Sequence, residues 1–531
     1  MGTSVHTHNL FIRSSAQEPL CKLLHTLQNL SVNFSTHSSY LPPSLSLSLS
    51  IIFSTPHSVS SIQLIHRLGT DLGLFSCQAT PASVLIKLKV VTKEFGENKK
   101  MIKVDVIHKE IIKPSSPTPH HLRHLCLSLF DQFILELYMP QVLFYPSSSD
   151  EHSLVAEKSE LLKKSLSEAL TIFYPFAGEF KNNVSINCDD RGALFLEAQV
   201  NCPMSKILDK PDSEILRQLI PTPMRSKQAQ VGHLVLVQAN VFKCGGLAIG
   251  VSISHKVADA LANSKFIESW AEIARSTAST TDHHVVLPTE FGVAATLFPP
   301  QEFVKKTPLT LPFIDNVIGR RLVFDASKIA ALKAKAASAT VPNPTRVEAV
   351  SALIWKSALE ASRSNLGFAR PSTWRSSTNL RKILAQPFAE NLQGNFVFFT
   401  LTKIEENEVY DLQTLVAKMR KCVEEFKVKY ANEIRGEEVV QFLKEYSELV
   451  QKDDMDNYMC TSLCRFPFGS ANFGWGKASC IRIPWNEDFK NRMLLLDASD
   501  GIGIDAYITL KKEDMVMIET NQDLLAYASL H

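Results

Sequence analysis

The sequence lacks any uninterrupted apolar run of about 18 residues, which is the length that a membrane-spanning helix needs. It also lacks an excess of either charge, because 56 Lys and Arg residues stand against 54 Asp and Glu residues and give a net charge of +2. A chain with this balance has no overall attraction to nucleic acid or to an anionic membrane surface. We therefore expect neither a nucleic-acid partner nor a membrane partner.

Cysteine and histidine are not arranged as metal ligands. The ten cysteines include no C-x-x-C pair, and the closest two, Cys460 and Cys464, have no histidine cluster beside them. The histidine pairs His120-His121 and His283-His284 have no companions at metal-ligand spacing either. We therefore expect no metal site. We also expect the cysteines to be free thiols, as in proteins of a reducing compartment, and this favours a cytoplasmic protein.

Length and composition indicate a globular protein with more than one domain. Apolar residues make up 45% of the chain and charged residues 21%, as in ordinary globular proteins. A chain of 531 residues exceeds what one compact core usually holds, so two or more domains are expected.

The segment from Cys244 to Ala260 organises the rest of the chain. Two mostly apolar stretches, Leu234 to Phe242 and Leu247 to Ile253, flank Gly245-Gly246 and predict a hairpin. Apolar residues then recur at helical spacing, namely Ala262, Phe266, Trp270 and Ile273. His255 is therefore predicted to lie where a central strand gives way to a helix, a junction that can hold a catalytic group on a rigid support.

An imidazole at this position is suited to general base catalysis, because its ordinary pKa of about 6.5 lets it accept and return a proton near neutrality. Asp259 follows His255 by four residues, but a His and an Asp at this spacing occur by chance in many chains. The pattern alone therefore does not establish a site. Cys244, beside the two glycines, is expected to be a buried turn thiol rather than a nucleophile.

A second motif, far along the chain, makes the first one informative about the protein family. CGGLAIGVSISHKVADA at residues 244–260 and NFGWG at residues 472–476 together resemble the plant BAHD acyl-CoA-dependent acyltransferases, which carry HxxxD and DFGWG. The similarity begins at Met101 and covers about four-fifths of the chain, including segments like the family's LSxxD, FYPxAGR, NLR and GN elements at residues 127–131, 173–179, 379–381 and 394–395. The details HKVAD, CGGLAIG and SSPTPHHL resemble the vinorine-synthase-like branch.

The resemblance implies a mixed α/β fold of two chloramphenicol-acetyltransferase-like domains, each with a mixed sheet, and a channel between them. On this reading residues 101–298 form the first domain, 299–320 the crossover loop and 321–531 the second domain. Pro344, in NPTRVEAVSALIWK, marks an expected helix start. His255 should be reachable from both mouths of the channel.

The resemblance also implies the chemistry. His255 would act as the general base that activates an alcohol, with acyl-CoA, preferably acetyl-CoA, as the co-substrate. The mechanism needs no acyl-enzyme and no permanently bound cofactor. The branch implies a hydroxyl group of a plant alkaloid or related specialised metabolite as the acceptor, and a monomer.

Six further residues would support the site. For Asp259, two roles stay open, namely orienting the imidazole or forming the family's structural pair with an arginine, for which Arg381 is the candidate. Asn472 replaces the motif's aspartate and loses its charge, while Gly474 and Gly476 allow close backbone approach. The indole N–H of Trp475 is either a donor to the oxyanion or part of a packed core.

The first 100 residues do not share this resemblance. They are rich in Ser, His and Leu, and they contain only four acidic residues. A transit peptide shares this Ser-rich, acid-poor character, but only Arg13 and Arg67 supply the arginines that it usually carries. We expect disorder or poor packing before Met101, which is also a candidate natural start.

Three alternatives remain from the sequence. One is the same fold with another acyl donor or an amine acceptor. Another is a catalytically impaired relative that binds ligand without turnover, which Asn472 favours and the retained His255 and Asp259 oppose. A condensation domain of peptide synthesis fits less well, because those domains carry HHxxxDG whereas Ser254 and Ala260 flank the motif here.

Overall fold

The fold is described from a computed structural model, in which the chain divides into two compact units, Met1–Met101 and Ile102–His531. In the second unit the structure describes residues 102–531 except 148–154, 210–212, 227–231, 279–288, 302–315, 384–390, 431–435, 451, 453 and 486–488. In the first unit it describes four strands. The sequons at Asn29 and Asn33 and the pair His283-His284 lie outside the described residues.

The four strands of the first unit form one antiparallel sheet in the order β1-β4-β3-β2. They are β1 Val5–Ile12, β2 Ile62–Leu68, β3 Asp71–Thr80 and β4 Ser83–Val91. The disorder expected for residues 1–100 differs from the structure over these strands, whose backbones pair in one sheet. For the remainder of that segment it stays a prediction.

The second unit contains sixteen strands among its described residues. They are β5 Val104–Ile112, β6 His124–Cys126, β7 Tyr138–Tyr145, β8 Glu179–Lys181, β9 Ser185–Asn187, β10 Ala193–Val200, β11 Val235–Phe242, β12 Leu247–Ser254, β13 Val317–Phe324, β14 Ser372–Asn379, β15 Val397–Ile404, β16 Asp456–Ser462, β17 Cys480–Arg482, β18 Arg492–Asp497, β19 Ile504–Lys511 and β20 Ser529–Leu530.

Helices cover these sheets. They are α1 Leu129–Phe133, α2 Val155–Ile172, α3 Ser205–Leu208, α4 Ser213–Gln218, α5 Ala260–Ala278, α6 Val293–Leu297, α7 Ala326–Ala336, α8 Arg346–Leu366, α9 Leu412–Tyr430, α10 Gly436–Val450, α11 Lys512–Ile518 and α12 Gln522–Leu525. Short 3-10 turns occupy His120–Leu122, Tyr174–Ala177, Leu380–Lys382 and Pro467–Ser470. Among the described residues, no helix is long and apolar enough to cross a membrane.

The predicted hairpin forms the centre of the first large sheet, whose order is β17-β7-β12-β11-β10-β5. Every residue of β12 is buried, as expected for a central strand covered on both faces. The predicted apolar face of α5 packs against α2, and the Trp270 indole donates to the Ser165 hydroxyl at 3.0 Å. This packing fixes the direction in which the chain leaves β12, and so places His255.

The second large sheet has the order β15-β14-β16-β18-β19-β13-β20 and mixes parallel with antiparallel pairs. Its core is built on α8, whose Trp355 stacks on Trp374 of β14 at 5.5 Å. A small sheet in the order β6-β9-β8 is not hydrogen-bonded to either large sheet, and Ile186 of β9 packs in the core of the first. The mixed α/β fold that the sequence indicated is present in the second unit.

The C-terminal half of this unit contributes one strand to the first sheet. β17 lies in the C-terminal half of the chain, yet it pairs antiparallel with β7 at the edge of the first sheet. A domain division at residues 298 and 321 does not account for this strand, because side-by-side pairing of Cys480 with Phe144 crosses that division. Most of the predicted crossover, residues 302–315, lies outside the described residues.

Candidate active site

His255 is held by its backbone at the end of β12. Its N–H donates to the Leu137 carbonyl at 2.8 Å, and its carbonyl accepts from the Asn395 side-chain amide at 2.9 Å. Leu137 precedes β7 of the first sheet, whereas Asn395 precedes β15 of the second. The position of the imidazole is therefore fixed by both halves of the unit.

The imidazole of His255 is kept neutral near pH 7. Burial lowers the pKa of His255 below its usual 6.5, and the Asp259 charge opposes this shift without reversing it. Its Nδ1 is buried and has no hydrogen-bond partner in the structure. A neutral imidazole is able to accept a proton.

Asp259 uses its carboxylate to hold backbone rather than the imidazole. One oxygen accepts from the Ala262 N–H at 2.9 Å, which caps the first turn of α5. The other accepts from the Phe396 N–H at 3.0 Å and from Arg381 Nη1 at 2.6 Å. These contacts match the structural role among the two that the sequence left open.

Arg381 connects three parts of the site. Besides Asp259, its guanidinium donates to the Leu392 carbonyl from two nitrogens, at 3.0 and 2.8 Å, and to the Gly394 carbonyl at 3.0 Å. It also lies over the Phe396 ring, 4.7 Å from the centroid. With 1% of its side chain exposed, beside an Asp259 side chain that is 8% exposed, the ion pair is enclosed within the protein.

Asp131 and Asn395 form a second buried pair, which the sequence reasoning missed. One Asp131 oxygen accepts from the Asn395 N–H and side-chain amide at 2.9 and 2.8 Å, and the other accepts from the N–H and hydroxyl of Ser128. Both residues lie in segments that resemble the family's LSxxD and GN elements. The sequence contains no signal that they meet, because 264 residues separate them.

Lys256, next to the histidine, is buried and hydrogen-bonded. Its ammonium donates to the carbonyls of Asp131 and Gln132 at 3.2 and 2.9 Å and to the Asn183 side-chain oxygen at 2.7 Å. Burial lowers the pKa of Lys256 to about 8, although nearby carboxylates oppose the shift. Its donors are used within the structure, so it serves to support the loop that carries His255.

The side chain of Asn472 holds the NFGWG segment in a tight loop. The side-chain oxygen of Asn472 accepts from the N–H groups of Gly474 and Gly476, both at 3.0 Å. The two glycines have φ angles of +109° and +101°, a region that favours glycine. Because a carboxylate oxygen would accept the same two bonds, the replacement of aspartate by asparagine leaves this loop closed.

Trp475 packs against aromatic side chains. Its ring stacks on Phe473 at 5.7 Å and meets the edge of Tyr145 at 6.2 Å. Its indole nitrogen is buried and has no hydrogen-bond partner in the structure. Since other residues line both cavities that contain His255, this contact set matches the packed-core alternative for Trp475.

The expectation for Cys244 was wrong, since its side chain is exposed. Gly245 takes a φ of +76° in the turn between β11 and β12, and the neighbouring Lys243 and Cys244 are both exposed. The described cysteines are all free thiols, and within the described part of the chain no three His, Cys, Asp or Glu side chains group as metal ligands.

Two cavities meet at His255. The larger, of about 230 Å³, is lined by residues of both halves, including Phe130 and Phe398. The smaller, of about 180 Å³, includes Gln141 and Asn263. Four residues line both cavities, namely Met224, His255, Thr461 and Trp485.

Trp485 and Thr461 were not predicted from the sequence as site residues. Trp485 has a buried indole nitrogen without a hydrogen-bond partner, and Thr461 bonds the Ser377 hydroxyl at 3.1 Å. The sequence left the Trp475 indole of the NFGWG segment as one candidate oxyanion donor, whereas the indole that lines the cavities lies ten residues further on. No motif in the sequence marks it.

Comparisons with known proteins agree with this fold. The model of the Transferase family matches residues 102–525. Akuammiline synthase 1 of Alstonia scholaris is 37% identical over 426 residues, which cover 80% of this chain and 98% of that protein. Stemmadenine O-acetyltransferase of Catharanthus roseus is 32% identical over 425 residues, covering 79% and 96%.

A solved structure shows the same architecture. The crystal structure of vinorine synthase is similar to this chain with a TM-score of 0.70 and 30% sequence identity, over 80% of this chain and 99% of that chain. The fold therefore defines an acyltransferase built of two chloramphenicol-acetyltransferase-like halves. The chain belongs to the Transferase family, the BAHD acyltransferases, as its motifs indicated.

Proposed function

We propose that this protein transfers an acyl group, preferably acetyl, from acyl-CoA to a hydroxyl group of a plant alkaloid or related specialised metabolite. The observation that carries this proposal is the position of His255, which lines both cavities between the two halves. A base at this meeting point can contact an acceptor in one cavity and a thioester in the other. Acceptor and acyl donor then meet without an acyl-enzyme.

The proposed reaction needs one proton acceptor. As the acceptor oxygen attacks the thioester carbonyl, the neutral imidazole of His255 takes the hydroxyl proton. The carbon–sulfur bond of the tetrahedral intermediate then breaks, and the imidazolium returns the proton to the CoA thiolate. The products are an ester and free CoA, and His255 is neutral again.

The oxyanion of that intermediate needs hydrogen-bond donors. The Trp485 indole N–H and the Thr461 hydroxyl belong to the residues that both cavities share. The indole nitrogen of Trp485 has no partner in the structure, which supports its role as a donor to the developing charge.

Asn472 does not favour a catalytically impaired relative. Its amide oxygen holds both glycine N–H groups of the loop, so the loss of charge leaves that geometry in place. The neutral His255 supports an active enzyme as well. The eight described cysteines are all free, which supports a cytoplasmic location for a protein that we propose acts as a monomer.

The test is release of CoA thiol from acetyl-CoA by the full chain in the presence of a panel of plant alcohols. We expect turnover with at least one alcohol, and a loss of about 100- to 10,000-fold in His255→Ala. His108→Ala, a change at an exposed residue of β5, is the matched control and should retain full activity. Absence of thiol release with every alcohol, or full activity of His255→Ala, would contradict the proposal.

A further inference from the structure

The larger cavity contains two guanidinium groups that have no acidic partner among the residues that the structure describes. Arg375 of β14 and Arg492 of β18 both line it, and Arg375 is 7% exposed. Within the described residues, neither side chain pairs with an Asp or Glu, and Arg375 Nε is buried without a hydrogen-bond partner. Burying a charge without a partner opposes folding, so the two groups need another explanation.

Aromatic rings and sulfur surround Arg375 instead. Its guanidinium carbon lies 4.2 Å from the ring centroids of both Phe399 and Tyr446, and one nitrogen contacts the sulfur of Met459. Arg492 lies 5.3 Å from the Phe489 centroid. Burial lowers the pKa of Arg375 to about 9, and the positive charge of Arg492 contributes, so Arg375 remains charged at neutral pH.

Other enclosed arginines of this chain do have carboxylate partners. Arg381 pairs with Asp259 at 2.6 Å, and Arg346 pairs with Asp497. Arg321 and Arg482 share Asp505 at 3.0 and 3.3 Å. Arg375 and Arg492 therefore differ from these arginines, whose charge a carboxylate neutralises. They also lie in the cavity where a substrate would bind.

The remaining cavity lining is largely apolar, with residues such as Phe130, Phe398 and Met493. In such surroundings a carboxylate gains strong charge-assisted bonds from a guanidinium fork, because little water competes for it. We propose that Arg375 and Arg492 bind a carboxylate group of the substrate in the larger cavity. The inference rests on the proposed function, since His255 lines the same cavity.

The carboxylate has two chemical sources. It belongs either to the acyl group of a dicarboxylic acyl-CoA or to the acceptor. In both cases the two positive charges disfavour an acceptor whose only charge is a protonated amine. The site therefore narrows the proposed acceptors to those that are neutral or carry a carboxylate.

Calorimetric binding to the full chain separates the two sources. The donor arm compares malonyl-CoA with acetyl-CoA, and the acceptor arm compares a panel of aromatic and alicyclic hydroxy acids with their methyl esters. We expect one arm to show binding of the carboxylate member that is about 10- to 100-fold tighter than that of its uncharged counterpart. Equal affinities in both arms would overturn the inference.

Variants assign the preference to the two arginines. Arg375→Met and Arg492→Met should each reduce the ratio of the two affinities, carboxylate ligand over uncharged counterpart, to about one. Arg375→Lys keeps the positive charge but loses the paired N–H donors of the guanidinium, so it should retain part of this ratio. Arg275→Gln, at an arginine that pairs with Glu272 on α5, is the control and should keep the full ratio. Near-ultraviolet circular dichroism confirms that each variant is folded, and a ratio that persists in both methionine variants would also overturn the inference.

Failure of this inference and failure of the proposed function give different results. A carboxylate preference without thiol release in any reaction would retain this inference and reject the acyltransferase activity. Thiol release without a carboxylate preference would do the reverse.

Discussion

At the scale of single residues, His255 combines burial with a neutral imidazole. Because burial lowers its pKa below 6.5, the base form dominates at neutral pH. We expect kcat/KM to fall on the acid side with a midpoint below 6.5, as His255 becomes protonated. A pH–rate profile checks this, and an acid limb centred above 6.5 would contradict it.

The same shift affects stability. The unfolded chain, in which His255 has its ordinary pKa, binds more protons than the folded one in the pH range between the two values. The contribution of His255 to the free energy of unfolding therefore decreases as the pH falls below 6.5. His255→Ala should show a smaller loss of stability over that range.

Two tryptophans provide a matched residue-scale test. Trp485 lines both cavities, whereas Trp475 packs against Phe473 and Tyr145. We expect Trp485→Phe to reduce kcat by about 100- to 1,000-fold, because it removes the donor to the oxyanion. Trp475→Phe should change kcat little and lower the melting temperature instead, and the opposite ranking would return the donor role to Trp475.

At the scale of elements, the start of α8 shows what local sequence can determine. Pro344 marked an expected helix start, but the helix begins at Arg346, because Thr345 and Glu348 form a reciprocal capping box. The T-x-x-E pattern in the sequence is enough to indicate this start. Local hydrogen bonds of this kind are predictable, since both partners lie within one helical turn.

The capping box contributes measurably to the free energy of unfolding. Replacing Thr345 with Ala removes the acceptor for the Glu348 N–H, so we expect the free energy of unfolding to fall by about 1 kcal/mol. Thr345→Ser should stay near the native value because it keeps the hydroxyl. Urea unfolding measures both, and equal effects of the two changes would contradict the capping role.

At the scale of the whole molecule, Arg381 and Asp259 join the two halves. Arg381 follows β14 of the second sheet, and Asp259 follows β12 of the first. Arg381→Met leaves Asp259 buried without its partner, and we expect a loss of roughly 3–5 kcal/mol in the free energy of unfolding. Arg275→Met, at a partly exposed pair on α5, should cost about 1 kcal/mol or less. Chemical unfolding compares them, and similar losses would contradict the special importance of the enclosed pair.

The addition of β17 to the first sheet is also a feature of the whole molecule. β17 has three residues, too few for a clear alternating pattern, and its partner β7 lies more than 300 positions earlier. Nothing local indicates that it completes the first sheet. The pairing depends on the two halves already packing together.

The sequence by itself determined the features that depend on neighbouring residues. The hairpin before His255 and the apolar face of α5 follow from periodicity and turn glycines, and the family follows from two motifs. Only the tertiary structure decided which distant groups meet, such as Asp131 with Asn395, and which face a cavity, such as Arg375 and Trp485. The physical reason is that hydrophobic periodicity acts within a few residues, whereas cavities and buried charge pairs are formed by packing between segments that the chain sequence leaves far apart.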